Sequence, residues 1–457
     1  MQRRVLIAIV CATALVGALV TLWFVGLHQS WGGVAPTAVA LSPVQPPVAE
    51  DTELARGLQE SDSNGPAPTA AQIEEIWKPV VEASKDSWTP WMAVVNAENG
   101  QVIAESGIDV PHTPASNMKV LTAFTALTYL DPNATLTTGV SQKGTDLYFW
   151  GEGDLTLALG HGDPNAAYGR AGIEDIADQV TAALSATGQA YTLHYQNTLF
   201  GSQTRWPGWA AAGIEDYAGD VAPFAIDTGR VAPKEWAFVA SSTETAANAL
   251  SSALTARGMS ISGAVPGSAP EDVTVIAEVE SSTILEQVRY FLLESDNTMA
   301  EQFCELAAAG AGVDPVDFTS STQNVVNTLA SAGIDTTGMV MKDCSGLDPG
   351  SRVPPRVLLG VLQASLADNS ATKPLTRMLP IAGVNGTLSY RLYEPSTFGN
   401  LTGKTGFLGR SATFSGIGMT SSGANLFVAV GSDDVVDDAA LWTIATIDEF
   451  LTRLFAL

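Results

Sequence analysis

The sequence has few basic residues and few histidines, and each shortage excludes a class of function. Its 457 residues include 22 Lys and Arg against 48 Asp and Glu, a formal net charge of -26. Nucleic-acid binding needs basic side chains that meet phosphates, so this balance excludes a nucleic-acid partner. The histidines lack the spacing of metal ligands, so neither a metal site nor another cofactor is predicted. They are His28, His112, His161 and His194.

Cysteine is also scarce. Cys11 lies inside an apolar N-terminal run, which leaves Cys304 and Cys344 for the folded part of the chain. If that part lies outside the cytoplasm, the environment permits these two cysteines to form a disulfide, although the sequence does not show how far apart they lie. The hydrophobic content of 46% is enough for a sizeable core.

The N-terminal segment, residues 1–27, has the features of an export signal. Arg3 and Arg4 precede a run from Val5 to Leu27 that is almost wholly apolar, and about 20 such residues span a bilayer as a helix. The best small-residue cleavage site, at 38–40, lies well beyond this run, which favours an uncleaved anchor over a cleaved signal peptide. The two arginines place the N-terminus in the cytoplasm. We expect a single-pass membrane protein with an extracytoplasmic folded part, or a secreted protein if the signal is cleaved.

Residues 28–68 are rich in Pro, Ala, Ser and acidic residues, which predicts a flexible linker. Beyond them the apolar spacing alternates between helical and strand-like periods. Helices are predicted at 69–84, 173–184, 243–257, 283–293, 298–309, 354–366 and 437–455. Strands are predicted at 91–96, 101–106, 412–419 and 424–431. The first two strands flank a turn and therefore predict a hairpin.

A serine and a lysine stand three positions apart at the start of another apolar helical run. Ser116 and Lys119 would share one helical face within reach of each other. A serine hydroxyl becomes a good nucleophile when a neighbouring base takes its proton, and a lysine with a lowered pKa can be that base. The S-x-x-K pattern alone occurs by chance in many chains, so its meaning depends on the rest of the sequence.

Two further motifs follow in order, S-x-N at Ser295 and Asn297 and K-T-G beginning at Lys404. By themselves they are compatible with a helix cap and a solvated lysine. The ordered set resembles the signature of the penicillin-recognising serine acyltransferases. The segment from Pro114 is similar to the nucleophile segment of the class C low-molecular-mass penicillin-binding proteins, which are D-alanyl-D-alanine carboxypeptidase/endopeptidases. Other similar segments, in family order, are 147–157, 197–201, 207–209, 343–347, 383–388 and 403–408.

The resemblance implies an α+β fold. It consists of a β-lactamase/transpeptidase-like serine hydrolase domain, an antiparallel sheet flanked by helices plus a helical part, formed by residues 69–140 and 276–457. A β-rich domain is inserted at 141–275. This insert looks shorter than in many family members, which leaves less room for their third, innermost domain. Cys344 replaces a usual glycine, and Leu155 replaces a usual proline.

The resemblance also implies a mechanism. Ser116 would attack the carbonyl of the penultimate D-Ala of a peptidoglycan stem peptide, and Lys119 would accept its proton. Ser295 would relay a proton to the leaving amine, and Asn297 would position Lys119 and bind the substrate amide. Lys404 would supply a second cation. β-Lactam antibiotics would form the same ester and act as inhibitors.

The remaining site residues follow from the same likeness. Thr405 would hold the substrate's terminal carboxylate with the K-T-G lysine, and Gly406 completes that motif. The backbone N–H of Phe407 would join that of the nucleophile in an oxyanion hole. Asp154 would meet the ammonium of a diaminopimelate side chain at the mouth of the site, with an exposed loop aspartate as the alternative. Leu408 would line the same pocket.

Alternative functions share these motifs. A β-lactamase would deacylate quickly, an esterase of the same superfamily would prefer small esters, and a wall-binding or penicillin-sensing protein would retain the fold without turnover. No motif residue is missing, which counts against the last alternative. The sequence does not choose between carboxypeptidase and endopeptidase activity, because both cleave after a D-Ala carbonyl.

Overall fold

The computed structural model describes residues 65–457 except 86, 185–187, 234, 236, 368–369 and 437–438. The anchor predicted at 1–27 and most of the linker predicted at 28–68 lie outside the described residues. Among the helices of residues 65–457, none combines the length and the apolar character needed to cross a membrane.

The first sheet is antiparallel and is built from both ends of the described chain. Its strand order is β10-β11-β12-β1-β2, and Ala93 of the first strand pairs with Ala429 of the last. The strands are β1 (Thr89–Asn96), β2 (Val102–Ser106), β10 (Thr402–Leu408), β11 (Ser411–Met419) and β12 (Asn425–Asp433). The predicted hairpin is confirmed as β1 and β2.

Helices cover both faces of this sheet. Because side chains alternate along a strand, Phe427 packs into one core and Val428 into the other. On one face lie α1 (Ala70–Ala83) and α10 (Ala440–Phe455), joined by an edge-to-face contact of Trp77 with Phe450. The second core, which packs against the other face, contains α2 (Met118–Tyr129), α6 (Ile284–Glu294), α7 (Asn297–Gly310), α8 (Phe318–Ser331) and α9 (Pro355–Ser365).

The inserted region contains a second, mixed sheet of order β8-β6-β4-β3-β9. Its strands are β3 (Thr137–Lys143), β4 (Asp146–Gly151), β6 (Ala190–Tyr195), β8 (Ser260–Pro266) and β9 (Thr274–Glu280). Two helices, α3 (Ile173–Leu184) and α5 (Ser242–Ala256), share its core. The remaining elements are the short parallel pair β5 (Asp154–Leu157) and β7 (Phe224–Ile226), and α4 (Pro207–Ala212).

The α+β fold class is confirmed, and two details differ from the prediction. The predicted boundaries at 140/141 and 275/276 fall inside β3 and β9, and both strands belong to the second sheet, so this sheet runs from residue 137 to 280. Helix α8 is not predicted from the sequence. Its many serines and threonines are poor helix formers, but Asp317 caps its first turn and its apolar side chains complete the core.

Candidate active site

Ser116 lies in a 3-10 turn, Ala115–Asn117, that leads directly into α2. Ala115 has a φ of 45°, a conformation uncommon for a residue with a side chain. The turn is bound to strand β11, because Asn117 Nδ2 donates to Thr413 Oγ1 at 2.7 Å and Thr413 Oγ1 donates to the Pro114 carbonyl at 2.9 Å. These bonds hold the half-buried Ser116, the candidate nucleophile, at a fixed position beside the sheet.

Two glycines allow other chain segments to approach this turn. A Cβ at Gly346 would overlap the Ala115 carbonyl oxygen, and a Cβ at Gly406 would lie 2.9 Å from the Pro114 oxygen and 3.0 Å from Ala115 Cβ. Glycine is therefore required at both positions for the loop at 343–346 and strand β10 to contact the nucleophile turn.

Lys119, in the first turn of α2, is fully buried and has three oxygen neighbours. Its Nζ lies 3.0 Å from Ser116 Oγ, 2.6 Å from Asn297 Oδ1 and 2.9 Å from the Ser345 carbonyl oxygen. The amide and carbonyl oxygens are fixed acceptors. A neutral amine has two N–H donors and one lone pair, so these two acceptors direct the lone pair towards the hydroxyl of Ser116.

Burial lowers the pKa of Lys119 to about 8, and the negative charges of Asp296, Asp343 and Glu301 oppose that shift. At neutral pH a useful fraction of the amine is therefore unprotonated. That fraction is what a general base for Ser116 requires.

Ser295 and Lys404 form the second polar pair of the site. Ser295 ends helix α6 in the left-handed conformation, with a φ of 59°, and its hydroxyl lies 3.0 Å from Lys404 Nζ. Lys404 is fully buried in strand β10 and also donates to the Thr405 carbonyl at 2.9 Å. Burial lowers the pKa of Lys404, and the positive charges of Lys119 and Arg391 lower it further.

The loop at 343–346 completes the surroundings of Lys119. Glu301 on α7 accepts from the N–H groups of Cys344 at 3.0 Å and Ser345 at 2.7 Å. Asp343 accepts from Trp209 Nε1 at 2.8 Å. Burial raises the pKa of both carboxyl groups, and the charge of Asp343 raises that of Glu301 further. These bonds orient the Ser345 carbonyl towards the lysine amine.

The two cysteines of the folded part bind this loop to α7. Cys304 and Cys344 form a disulfide with a Cα–Cα distance of 6.2 Å. Cys344 is thereby fixed next to Ser345, whose carbonyl contacts Lys119. The usual glycine that Cys344 replaces would have no side chain for this attachment.

The K-T-G strand places three further candidate residues along one open edge. β10 is an edge strand of the first sheet, and Thr405 Oγ1 donates to Thr387 Oγ1 at 2.7 Å. Phe407 is 51% exposed. Leu408 borders a cleft of about 480 Å³ that Arg352 and Ile214 also line. The outer edge is covered as far as Gly403, whose N–H donates to the Pro380 carbonyl at 2.9 Å, and the edge beyond that residue can pair with an extended peptide.

Asp154 is not at the mouth of the site. Its side chain is fully buried at the start of β5, where one carboxylate oxygen accepts from the N–H of Thr156 at 2.8 Å and from its hydroxyl at 2.7 Å. Burial raises the pKa of Asp154 to about 6. A fully buried carboxylate has no exposed surface with which to meet a substrate ammonium, so the structure supports neither the predicted contact nor the alternative of an exposed loop aspartate.

Two of the groups that shape the site, Ser345 and Glu301, are not predicted from the sequence. Ser345 acts through its backbone carbonyl, which no side-chain pattern reveals, although it lies in a segment noted for its family likeness. Glu301 gives a weak signal as a carboxylate in the predicted 298–309 helix, four positions after Asn297. Within the described part of the chain, no group of three His, Cys, Asp or Glu is placed to hold a metal ion.

Comparison with known proteins identifies the family of the chain. A family model described as the D-Ala-D-Ala carboxypeptidase 3 (S13) family matches residues 89–237 and 232–454. Carboxypeptidase DacB of Mycolicibacterium smegmatis is 33% identical over 452 residues, which cover 94% of this chain and 90% of that protein. Carboxypeptidase Rv3627c of Mycobacterium tuberculosis is 32% identical over 382 residues, covering 80% and 81% respectively.

Solved structures support the fold. Penicillin binding protein 4 (dacB) from Haemophilus influenzae superposes with a TM-score of 0.66 at 18% identity, covering 82% of this chain and 98% of that chain. A structure of the same protein complexed with a β-lactam superposes with a TM-score of 0.63. The family resemblance inferred from the motifs is therefore confirmed, and the chain belongs to the D-Ala-D-Ala carboxypeptidase 3 (S13) family.

Proposed function

We propose that this protein is a serine D-Ala-D-Ala carboxypeptidase, with endopeptidase activity on cross-linked stem peptides, that remodels peptidoglycan through an acyl-enzyme on Ser116. The observation that carries the proposal is the pair of contacts in which Lys119 Nζ lies 3.0 Å from Ser116 Oγ and Lys404 Nζ lies 3.0 Å from Ser295 Oγ. One pair activates the nucleophile, and the other supplies a proton route to the leaving group.

Acylation begins when Ser116 Oγ attacks the carbonyl carbon of the penultimate D-Ala and its proton passes to Lys119 Nζ. The C–O bond forms, and the negative charge on the carbonyl oxygen is held by the backbone N–H groups of Ser116 and Phe407. Losing one such donor typically costs about 100-fold or more in rate. The C–N bond then breaks as Ser295 passes its hydroxyl proton to the leaving amine and takes a replacement proton from Lys404 Nζ, 3.0 Å away.

Substrate selection follows from the groups that surround this reaction. Lys404 and the hydroxyl of Thr405 hold the terminal carboxylate, and the side chain of Asn297 forms a hydrogen bond with an amide group of the substrate backbone. The open edge of β10 pairs with the extended stem peptide. Water then hydrolyses the ester on Ser116 and releases the shortened peptide. A β-lactam forms the same ester by ring opening, which retains the leaving group and slows hydrolysis.

Digestion of purified muropeptides with mass-spectrometric analysis tests the proposal. The wild-type protein should release D-alanine from pentapeptide stems and cleave cross-linked dimers, and Ser116→Ala should do neither. Absence of both products with the wild-type protein would refute the peptidase function. Rapid turnover of nitrocefin without a lasting penicillin adduct would instead identify a β-lactamase, and hydrolysis of small esters alone would identify an esterase.

We also propose that the apolar run at Val5–Leu27 holds the enzyme at the outer face of the cell membrane. The positive charges of Arg3 and Arg4 and the linker-like composition of residues 28–68 support this orientation. Cell fractionation with externally added protease tests it. The full chain should sediment with membranes and be digested from outside, whereas a soluble product cleaved near residue 40 would show a processed signal peptide.

A further inference from the structure

A segment of the inserted region, residues 217–230, lies along the N-terminal half of helix α7, and we call it the bridging segment. Four hydrogen bonds join the two: Asn297 Nδ2 to the Tyr217 carbonyl at 2.9 Å, Gly219 N to Thr298 Oγ1 at 2.8 Å, and a reciprocal pair between Ala222 and Gln302 at 3.0 Å each. The first of these bonds orients the same Asn297 amide whose oxygen contacts Lys119.

The bridging segment ends in a buried ion pair. Arg230 Nη2 lies 2.9 Å from Asp296 Oδ2, and the side chains are only 12% and 4% exposed. Arg230 Nη1 donates to the Glu235 carbonyl at 2.8 Å, and its guanidinium lies 5.1 Å from the ring centre of Phe238. The arginine therefore has a fixed direction of approach to Asp296.

Asp296 stands between the two motif residues of the S-x-N sequence. Its Oδ1 accepts from Met299 N at 2.9 Å and caps α7, while its Oδ2 takes the arginine. Because both carboxylate oxygens are bound, the Asp296 side chain is held in one orientation. The backbone of its neighbours, Ser295 and Asn297, is thereby held in place as well. Ser295 then faces Lys404, and Asn297 faces Lys119.

We propose that Arg230 is a positioning residue for the cleavage of D-Ala-D-Ala bonds, because its ion pair with Asp296 fixes the S-x-N loop against the two active-site lysines. This inference rests on the proposed function. It assigns the inserted region a part in the reaction, although the region supplies none of the three motifs. Arg230 acts through Asp296 and touches no reacting atom.

If the Arg230–Asp296 ion pair were purely structural, its loss would change only the stability of the folded protein. If the pair positions the active site, its loss also changes the pKa of Lys119. The charged groups facing this amine are Asp296 at the N-cap of α7, Glu301 within α7, Asp343 of the 343–346 loop, and Lys404 of β10. The three carboxylates raise the pKa of Lys119 against the lowering by burial. Arg230 offsets the charge of Asp296, so removing the arginine should raise that pKa, and removing the aspartate charge should lower it.

The test measures the first-order rate constant of benzylpenicillin acylation between pH 6 and 9. In excess penicillin this constant does not depend on the fraction of folded protein. Arg230→Met should lower the plateau rate by about tenfold or more, since small misplacements of reacting groups are costly, and should move the pH midpoint upwards. Asp296→Asn should also lower the rate and should move the midpoint downwards. Arg230→Lys should recover part of the rate and the wild-type midpoint.

Two further variants separate positioning from stability. Arg230→Met with Asp296→Asn removes both charges of the ion pair, so thermal stability should recover in part while the rate stays low. Arg170→Met is the matched control, because Arg170 pairs with Glu286 at 2.7 Å between the inserted region and α6, nine positions before Ser295. It should lower stability and leave the acylation rate and its pH midpoint unchanged.

The results that would overturn the inference are distinct from those that would refute the proposed function. If the wild-type protein is acylated and Arg230→Met matches it in rate and midpoint, the positioning role is wrong and the function stands. A double variant whose rate recovers together with its stability would also overturn the inference. If the wild-type protein neither acylates nor releases D-alanine, the proposed function itself fails.

Discussion

The Lys119 amine has two fixed acceptors, Asn297 Oδ1 and the Ser345 carbonyl, which leave its lone pair for Ser116. No histidine is needed, because burial lowers the pKa of this lysine to about 8. A second buried lysine, Lys404, remains close to Ser295. The proposed chemistry therefore depends on two buried lysines whose pKa values are both lowered by burial.

The acylation rate should rise with pH through a midpoint near 8, because the neutral amine of Lys119 is the active form and its fraction grows as pH rises through that pKa. Lys119→Arg keeps the charge but has no accessible neutral form, so it should lower the rate by about 100-fold to 10,000-fold at pH 8. Stopped-flow or quenched labelling with penicillin measures both effects.

Lys85→Arg is the control for that substitution, because Lys85 is an exposed lysine paired with Glu82 and should behave as wild type. A flat profile between pH 6.5 and 9.5 would contradict the assignment of Lys119 as the base. So would a Lys119→Arg variant that acylates at the wild-type rate.

One face of helix α7 carries three side chains that hold parts of the candidate active site in place. Asn297, Glu301 and Cys304 follow the spacing i, i+4 and i+7, which places them in a row. They contact, in turn, the Lys119 amine, the backbone N–H groups of the 343–346 loop, and Cys344. One helix thus aligns Lys119, the proposed general base, and the loop whose Ser345 carbonyl binds it.

Reduction of the Cys304–Cys344 disulfide should lower the thermal midpoint. The bond closes a chain separation of 40 residues, and a loop of that size is worth about 3–4 kcal/mol by the chain-entropy model. Differential scanning calorimetry with and without reductant measures the change. The Cys304→Ala/Cys344→Ala variant should match the reduced wild type and ignore the reductant. A wild-type midpoint that is insensitive to reductant would contradict this prediction.

The parts of the site that sequence reasoning predicts are those with local signatures. The serine and lysine of S-x-x-K lie one helical turn apart, and the hairpin of β1 and β2 follows from alternation and a turn. Asp154 shows where this reasoning fails, because its burial depends on the packing of β5 in the inserted region. The Arg230–Asp296 pair joins positions 66 residues apart, and only the folded chain brings them together.

At the scale of the whole molecule, the excess of acidic groups and a few buried carboxyl groups both make the stability of the folded protein depend on pH. The net charge of -26 becomes more repulsive as pH rises. Glu305 on α7 is buried, with Oε1 lacking a hydrogen-bond partner, and burial together with the charge of Asp317 raises its pKa to about 8. A raised pKa means that the folded state binds the proton more tightly than the unfolded chain does.

Thermal stability should therefore decrease between about pH 4.5 and pH 8, because the contribution of Glu305 is present below its unfolded pKa and is lost as pH rises through its folded pKa. Glu305→Gln removes this titration and should flatten the decrease. Thermal midpoints measured across that range for both proteins test it, with Glu98→Gln at an exposed turn as the control. Equal slopes for wild type and Glu305→Gln would contradict the assignment.

The strongest test of the account is the intact mass of the protein after treatment with benzylpenicillin, followed by peptide mapping. The wild-type chain should gain one penicilloyl group on the peptide that contains Ser116, and Ser116→Ala should gain none. An adduct that persists in Ser116→Ala, or one that maps to another residue of the wild-type chain, would contradict the assignment of Ser116 as the nucleophile.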